Sequence, residues 1–238
     1  MSEGPVLLIT GASSGIGAAT ARAAAGAGYR LVLGARREPE LRRLSDELGG
    51  VERALPVRAD VTEWEDQERL VAAALEQFGR IDAVLANAGT AGRRSFLSDS
   101  VEQWRSMVLT NVLGVALTIR ATLPHMLERG TGDYLITSSV GGRRVMAGSL
   151  YSATKHAVTA IGLGLRSELR QNHHNKRIRV TLLEPGMTET EIFDNRPELR
   201  PASMIRPEDV ARAALYALGQ PPDVELNEIM VLPTGQDR

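Results

Sequence analysis

Val6-Leu-Leu-Ile-Thr10-Gly11-Ala-Ser-Ser-Gly15-Ile-Gly17 decides how this chain folds. The run from Val6 to Thr10 is short and apolar, the pattern of a strand buried on both faces in a parallel sheet. Glycines follow at once, and then small residues from Ala18 to Gly26 that read as a helix. Strand, glycine turn and helix in this order set backbone N–H groups at a helix N-terminus, where a phosphate is well held. Gly11 and Gly15 suit positive φ and close backbone approach, and Gly17 lets the helix lie close to the strand. Ser13, Ser14 and Ile16 complete the turn and are read with it as cofactor-binding positions. The first two glycines are three residues apart, which departs from the common G-x-G-x-x-G spacing.

Outward from this turn, apolar strands recur near 6–10, 31–35, 55–59, 81–86, 133–138, 178–183 and 228–232, with helical patterns between them. The alternation predicts an α/β fold: a single doubly wound Rossmann domain over 1–238, with a seven-stranded parallel sheet and helices on both faces. Thr62-Glu-Trp-Glu65 and Ser100-Val-Glu-Gln103 have capping-box spacing and mark two helix starts. A chain of 238 residues and 25.7 kDa can bury one sizeable core. A net charge of −1 gives no reason to expect nucleic acid. The absence of cysteine removes disulfides and thiolate chemistry. The first strand starts within six residues of Met1, with no signal sequence before it. No apolar run is expected to approach bilayer length, so a soluble cytoplasmic protein is the expectation.

The second strand ends Gly34-Ala35-Arg36-Arg37, with no acid before Glu38. A fold that binds NAD usually places an acid there for the ribose 2′-hydroxyl. Guanidinium forks bind phosphate instead, so Arg36 and Arg37 argue for NADP(H). The third strand runs to Asp60-Val61, where the aspartate could accept from an adenine amino group or cap the next helix. Tyr151 and Lys155 stand at i, i+4 in the opening of a helix, on one face. A cation beside a phenol favours phenolate, so Tyr151 should ionise below its ordinary value of about 10 and exchange protons at ordinary pH.

Thr10-Gly-x-x-x-Gly-Ile-Gly17, Asp60-Val61, Asn87-Ala88-Gly89, Asn111, the serines 138–139, Tyr151-x-x-x-Lys155 and Pro185-Gly186 occur in order along the chain. Over essentially its whole length the chain resembles a short-chain dehydrogenase/reductase of the single-domain type. The resemblance implies that Tyr151 is the general acid or base and that Lys155 lowers its pKa and holds the nicotinamide ribose. It implies that Asn111, within a helix from Val101 to Met126, helps hold a water of a proton relay. It implies further cofactor contacts at Asn87, Ala88, Gly89, Pro185, Gly186, Thr188 and Thr190. A serine should polarise the substrate oxygen. The usual spacing of thirteen before the tyrosine selects Ser138, whereas counting along the strand from Gly132 selects Ser139. Ser139 is preferred, because a loop absorbs a one-residue deletion more easily than a strand does.

Some residues stay open. Glu184 before Pro185 either shapes the substrate pocket or is solvated on its rim. Arg143-Arg144 and Arg93-Arg94 either meet a substrate carboxylate or solvate their loops. His173 and His174 have no ligand partners at metal spacing, and no metal is expected. His125 reads as structural. Asp194 to Ile205 is the expected lid. The function expected is NADP(H)-dependent hydride transfer between nicotinamide and a carbonyl/alcohol pair: a ketone, aldehyde or hydroxy acid. The alternative is a non-catalytic NADPH-sensing protein on the same fold. A homotetramer is expected, with a dimer as runner-up. The resemblance implies that its contacts are helices 101–129 and 152–172; the first carries an apolar stripe of Val108, Val112, Val115 and Ile119, which suits another helix or the chain's own sheet. The second carries the small residues Ala153, Ala157, Ala160, Gly164 and Ser167.

Overall fold

In the computed structural model, residues 4–93, 95–174, 176–191 and 203–236 are described. Strand β1 (Val6–Thr10) is apolar throughout because it is covered on both faces. Its Val6 and Leu8 enter one buried cluster, and Leu7 and Ile9 enter another on the opposite face. It lies in a sheet of seven strands in the order β3-β2-β1-β4-β5-β6-β7, every pair parallel. The other strands are β2 (Arg30–Ala35), β3 (Ala54–Arg58), β4 (Ala83–Ala86), β5 (Thr131–Thr137), β6 (Arg177–Pro185) and β7 (Glu228–Val231). The winding reverses between β1 and β4. In such a sheet the crevice beyond the carboxyl ends of those two strands is where ligands bind.

Helices α1 (Gly15–Gly26), α2 (Glu38–Glu47) and α7 (Pro207–Leu218) cover one face. On the other lie α3 (Trp64–Phe78), α5 (Gly114–Arg129) and α6 (Leu150–Asn172). A short α4 (Val101–Val108) precedes α5. Helix α1 approaches β1 as closely as it does because Gly17 has no side chain. A Cβ there would lie 2.3 Å from the Gly11 carbonyl oxygen and 2.9 Å from Asn87 Nδ2. His125 has a structural contact, its Nε2 accepting from the Ile81 N–H at 3.1 Å.

Three expectations are corrected. The helix expected from Val101 to Met126 is interrupted by a π-helical turn at Leu109–Leu113, which contains Asn111. Insertions of this kind occur often at functional sites. The capping box forms at Ser100 and Gln103, but none forms at Thr62. The Asp60 carboxylate takes the Thr62 N–H at 3.0 Å and its hydroxyl at 2.9 Å, a local turn that competes with capping. Helix α3 starts at Trp64 instead, with no side-chain cap. Finally, Val101–Arg129 is long and apolar enough by composition to cross a membrane, with a mean hydropathy of 1.5 over its most apolar window. Its inner face packs on the sheet through Val115, Ile119 and Met126, while Val101, Val108, Leu109 and Leu113 are exposed.

Gly17→Ala is expected to destabilise the fold by about 1–3 kcal/mol or more, since backbone atoms cannot move aside for the new methyl. Gly26→Ala, at the end of the same helix with nothing within 4 Å of its Cβ position, should be neutral or gain up to about 1 kcal/mol. Urea unfolding of both variants checks the contrast.

Candidate active site

The carboxyl ends of β1, β4, β5 and β6 open into a cavity of about 500 Å³. It runs from Arg36, Arg37 and Asp60 past the glycine turn to Ser139, Tyr151 and Lys155, with residues 185–188 along one side. Gly11 and Gly15 have φ of +68° and +54°, as that turn requires. A Cβ on Gly11 would stand 2.8 Å from the Ala88 Cα, and one on Gly15 would stand 3.1 Å from the Thr190 methyl. Ser14 occupies the cap position of α1 but makes no cap bond, because its hydroxyl accepts from Arg37 at 2.7 Å. A glycine cradle at an uncapped helix N-terminus is a donor set that fits a pyrophosphate.

Asn87 ties this turn to the sheet. Its Nδ2 donates to the carbonyls of Thr10 and Gly11 at 3.2 and 3.4 Å, and its Oδ1 accepts from Thr137 Oγ1 at 3.2 Å. The Thr10 hydroxyl accepts from the N–H groups of Asn87 and Ala88. Asn87, Ala88 and Gly89 thereby line the cavity floor. Val61 is buried against Gly114, while Asp60 is held by the Thr62 turn, with Oδ2 3.9 Å from Arg36 Nη1. Arg36 is 69% exposed. The Thr188 hydroxyl donates to the Gly186 carbonyl, and Thr190 packs on Gly15.

At the opposite end Lys155 is buried, and its Nζ donates to the Thr137 carbonyl at 2.8 Å. Burial pushes its pKa down to about 8. The ammonium lies 5.8 Å from the centre of the Tyr151 ring. The Asn111 side chain is also buried. Its Oδ1 accepts from the Thr90 N–H, and its Nδ2 donates to the Thr90 carbonyl and to Thr154 Oγ1. It braces the segment after Gly89, and a Cβ on Gly89 would lie 3.3 Å from its Oδ1 and 3.7 Å from Lys155 Nζ.

The two serines face different ways. Ser138 turns into α6, with Oγ 2.8 Å from Thr159 Oγ1 and donating to the Lys155 carbonyl at 3.2 Å. Ser139 Oγ accepts from the Gly141 N–H at 3.0 Å and makes a long 3.4 Å bond to the Pro185 carbonyl. Ser139 Oγ, Tyr151 Cε1 and Met146 Cε lie 3.5, 3.4 and 3.2 Å from the Cβ position of Gly141, so all three side chains border that glycine. Met146 was not singled out by sequence: it stands in a loop without a motif. Its N–H is pinned by the buried Ser152 hydroxyl.

Neither reading of Glu184 holds, nor does substrate binding by Arg143. Glu184 is 2% exposed and receives Arg143 Nε at 2.6 Å, and Arg143 Nη2 reaches Glu228 at the same distance. Burial raises the Glu184 carboxyl despite that guanidinium. The pair fastens the turn after Ser139 to the sheet beneath the cavity. Arg144 and Arg93 are exposed, and the Arg93 N–H donates to Asp99. Arg94 lies outside the described residues, as does the expected lid apart from residues 203–205.

A family model for the short chain dehydrogenase matches residues 5–200. An uncharacterised oxidoreductase of Staphylococcus saprophyticus is 35% identical over 97% of this chain and 96% of its own. Among solved structures, an alcohol dehydrogenase from Thermococcus sibiricus complexed with 5-hydroxy-NADP is similar, with a TM-score of 0.87, 32% identity and 99% of each chain covered. A short chain dehydrogenase/reductase from Burkholderia phymatum in complex with NAD has a TM-score of 0.85 and 29% identity over 97% of this chain and 90% of that one.

The buried lysine yields a stability prediction. Below about pH 8 the folded and unfolded chains both carry the proton, and the cost of burying the charge is fully present. Between about 8 and the ordinary lysine value near 10.4, the folded chain gives up its proton first and stability rises with pH. Lys155→Met should therefore be more stable than the native chain at pH 7, by about 2–3 kcal/mol, with the gap closing toward pH 10.5. Urea unfolding across that range checks it. A variant less stable at every pH would contradict the burial cost.

Proposed function

The chain belongs to the short-chain dehydrogenase family of oxidoreductases, and from that premise we propose that it interconverts a carbonyl compound and its alcohol with NADP(H), as one domain over 1–238. One observation carries this reading: Ser139 and Tyr151 converge on Gly141 with Lys155 buried behind them, at the far end of a cavity that begins in a glycine cradle.

When bound, the nicotinamide supplies or accepts the hydride. In reduction the Tyr151 hydroxyl gives its proton to the substrate oxygen as the carbonyl carbon gains hydride; in oxidation it takes that proton back. Ser139 fixes the substrate oxygen. Its lone pair is already engaged by the Gly141 N–H, and its long bond to Pro185 can be exchanged for one to the substrate. The Lys155 ammonium stabilises the phenolate that Tyr151 leaves, and a pKa of about 8 lets it pass a proton onward. The Asn111 carboxamide makes three hydrogen bonds, to Thr90 and Thr154, and so holds the backbone beside Lys155.

NADP(H) is favoured over NAD(H) by Arg36 and Arg37, with Ser13 and Ser14 beside them and no acid ending β2. We also propose a homotetramer, with a dimer as runner-up. The apolar stripe expected on the first helix is divided: Val115 and Ile119 belong to the core, and Val108 is exposed beside Leu109 and Leu113. Ala153, Ala160, Gly164 and Ser167 on α6 are exposed, which suits close helix approach.

Tyr151→Phe should keep NADPH binding and lose turnover by roughly a hundredfold or more, read as NADPH oxidation over a carbonyl panel. Ser139→Ala should harm turnover more than Ser138→Ala. NADPH binding without oxidation by any carbonyl would favour the sensing alternative. NADP(H) should bind tighter than NAD(H) by roughly ten- to a hundredfold, with much of that margin lost in Arg36→Ala; equal wild-type affinities would refute the assignment. Light scattering at micromolar concentration should report four chains, and a stable monomer would overturn the assembly.

A further inference from the structure

Arg37, between β2 and α2, is an expected phosphate ligand, yet its guanidinium already holds an anion. Its Nη2 donates to Ser14 Oγ at 2.7 Å and Ser13 Oγ at 3.0 Å, and its Nε to Ser13 Oγ at 3.2 Å. The same Nη2 stands 2.8 Å from Glu191 Oε2. Glu191 follows Thr190, the residue packed on Gly15, and both line the cavity. The Glu191 carboxylate thus occupies the guanidinium beside the two serine hydroxyls.

We propose that Glu191 is an internal stand-in for the cofactor 2′-phosphate and thereby sets how strongly this chain prefers NADP(H) to NAD(H). The inference rests on the NADP(H) reading above. Arg37 presents a planar fork, and a phosphate monoester claims the same edge that the carboxylate holds. Binding the phosphorylated cofactor therefore requires Glu191 to withdraw. Its charge also repels the incoming dianion, so competition and repulsion act in the same direction. NAD(H) carries no 2′-phosphate and does not compete for Arg37. The pair is 42% and 53% exposed, so water and salt screen it and its influence is modest. Selectivity here is set partly by an element acting against the favoured ligand, as specificity often is.

The test is fluorescence titration of NADPH and NADH into the full chain. Glu191→Gln should lower the NADPH dissociation constant by roughly two- to fivefold and leave that for NADH unchanged. The NADPH gain should shrink as salt is raised, and most of it should be lost in an Arg37→Ala background, where only the repulsion remains. Equal tightening for both cofactors, no tightening at all, or a gain undiminished in Arg37→Ala would overturn the inference. A wild type that binds both cofactors equally, with no effect of Arg36→Ala or Arg37→Ala, would sink the NADP(H) reading itself. A wild type that prefers NADPH but is indifferent to Glu191→Gln would sink only the role of Glu191. Because Glu191 is exposed, unchanged thermal unfolding should accompany each measurement.

Discussion

The hydrogen bond from Lys155 Nζ to the Thr137 carbonyl joins the two halves of the site. Thr137 closes β5, and its hydroxyl donates to Asn87 at the end of β4. Asn87 in turn donates to the carbonyls of Thr10 and Gly11, where β1 enters the glycine turn. An unbroken path of short-range bonds thus runs from the buried ammonium to the phosphate cradle, across three adjacent strands. Holding a lysine in that place is costly, and the sheet, the π-turn around Asn111 and helix α6 all enclose it. A site that keeps a destabilising charge trades stability for chemistry.

The cavity has two unlike ends. At the β2 end Arg36, Arg37, Asp60 and Glu191 set opposing charges against solvent, where each pair is weak and adjustable. At the β5 end the side chains meeting around Gly141 are a hydroxyl, a phenol and a thioether, with the lysine behind them. Near that end Arg143 pairs with the buried Glu184. Recognition of the cofactor tail can therefore be tuned by single exposed residues. The reacting end is fixed by buried ones.

The seven strands were legible in the sequence because parallel strands buried on both faces leave continuous apolar runs, and Val6–Thr10 is the clearest of them. The glycine turn was legible because positive φ at Gly11 and Gly15 excludes most other residues. Other features depend on tertiary partners and left no local trace. The π-turn at Asn111 has no sequence signature. Thr62 carried the spacing of a cap, but Asp60 claimed its hydroxyl. Arg143 and Glu184, forty-one residues apart in sequence, gave no sign of pairing. Periodicity placed Val108 and Val115 on one stripe, yet only Val115 reaches the sheet, because the π-turn between them rotates the helix surface.

The chain has only two lysines, Lys155 and Lys176, so the ionisation of the buried one can be followed directly. Carbon-13 NMR of lysine side chains, assigned with a Lys176→Arg variant, gives a titration curve for Lys155 alone. An ammonium enclosed as described loses its proton near pH 8. A Lys155 that titrates at the ordinary value of about 10.4 would show that the site is open to water and that the lysine is not poised for proton transfer.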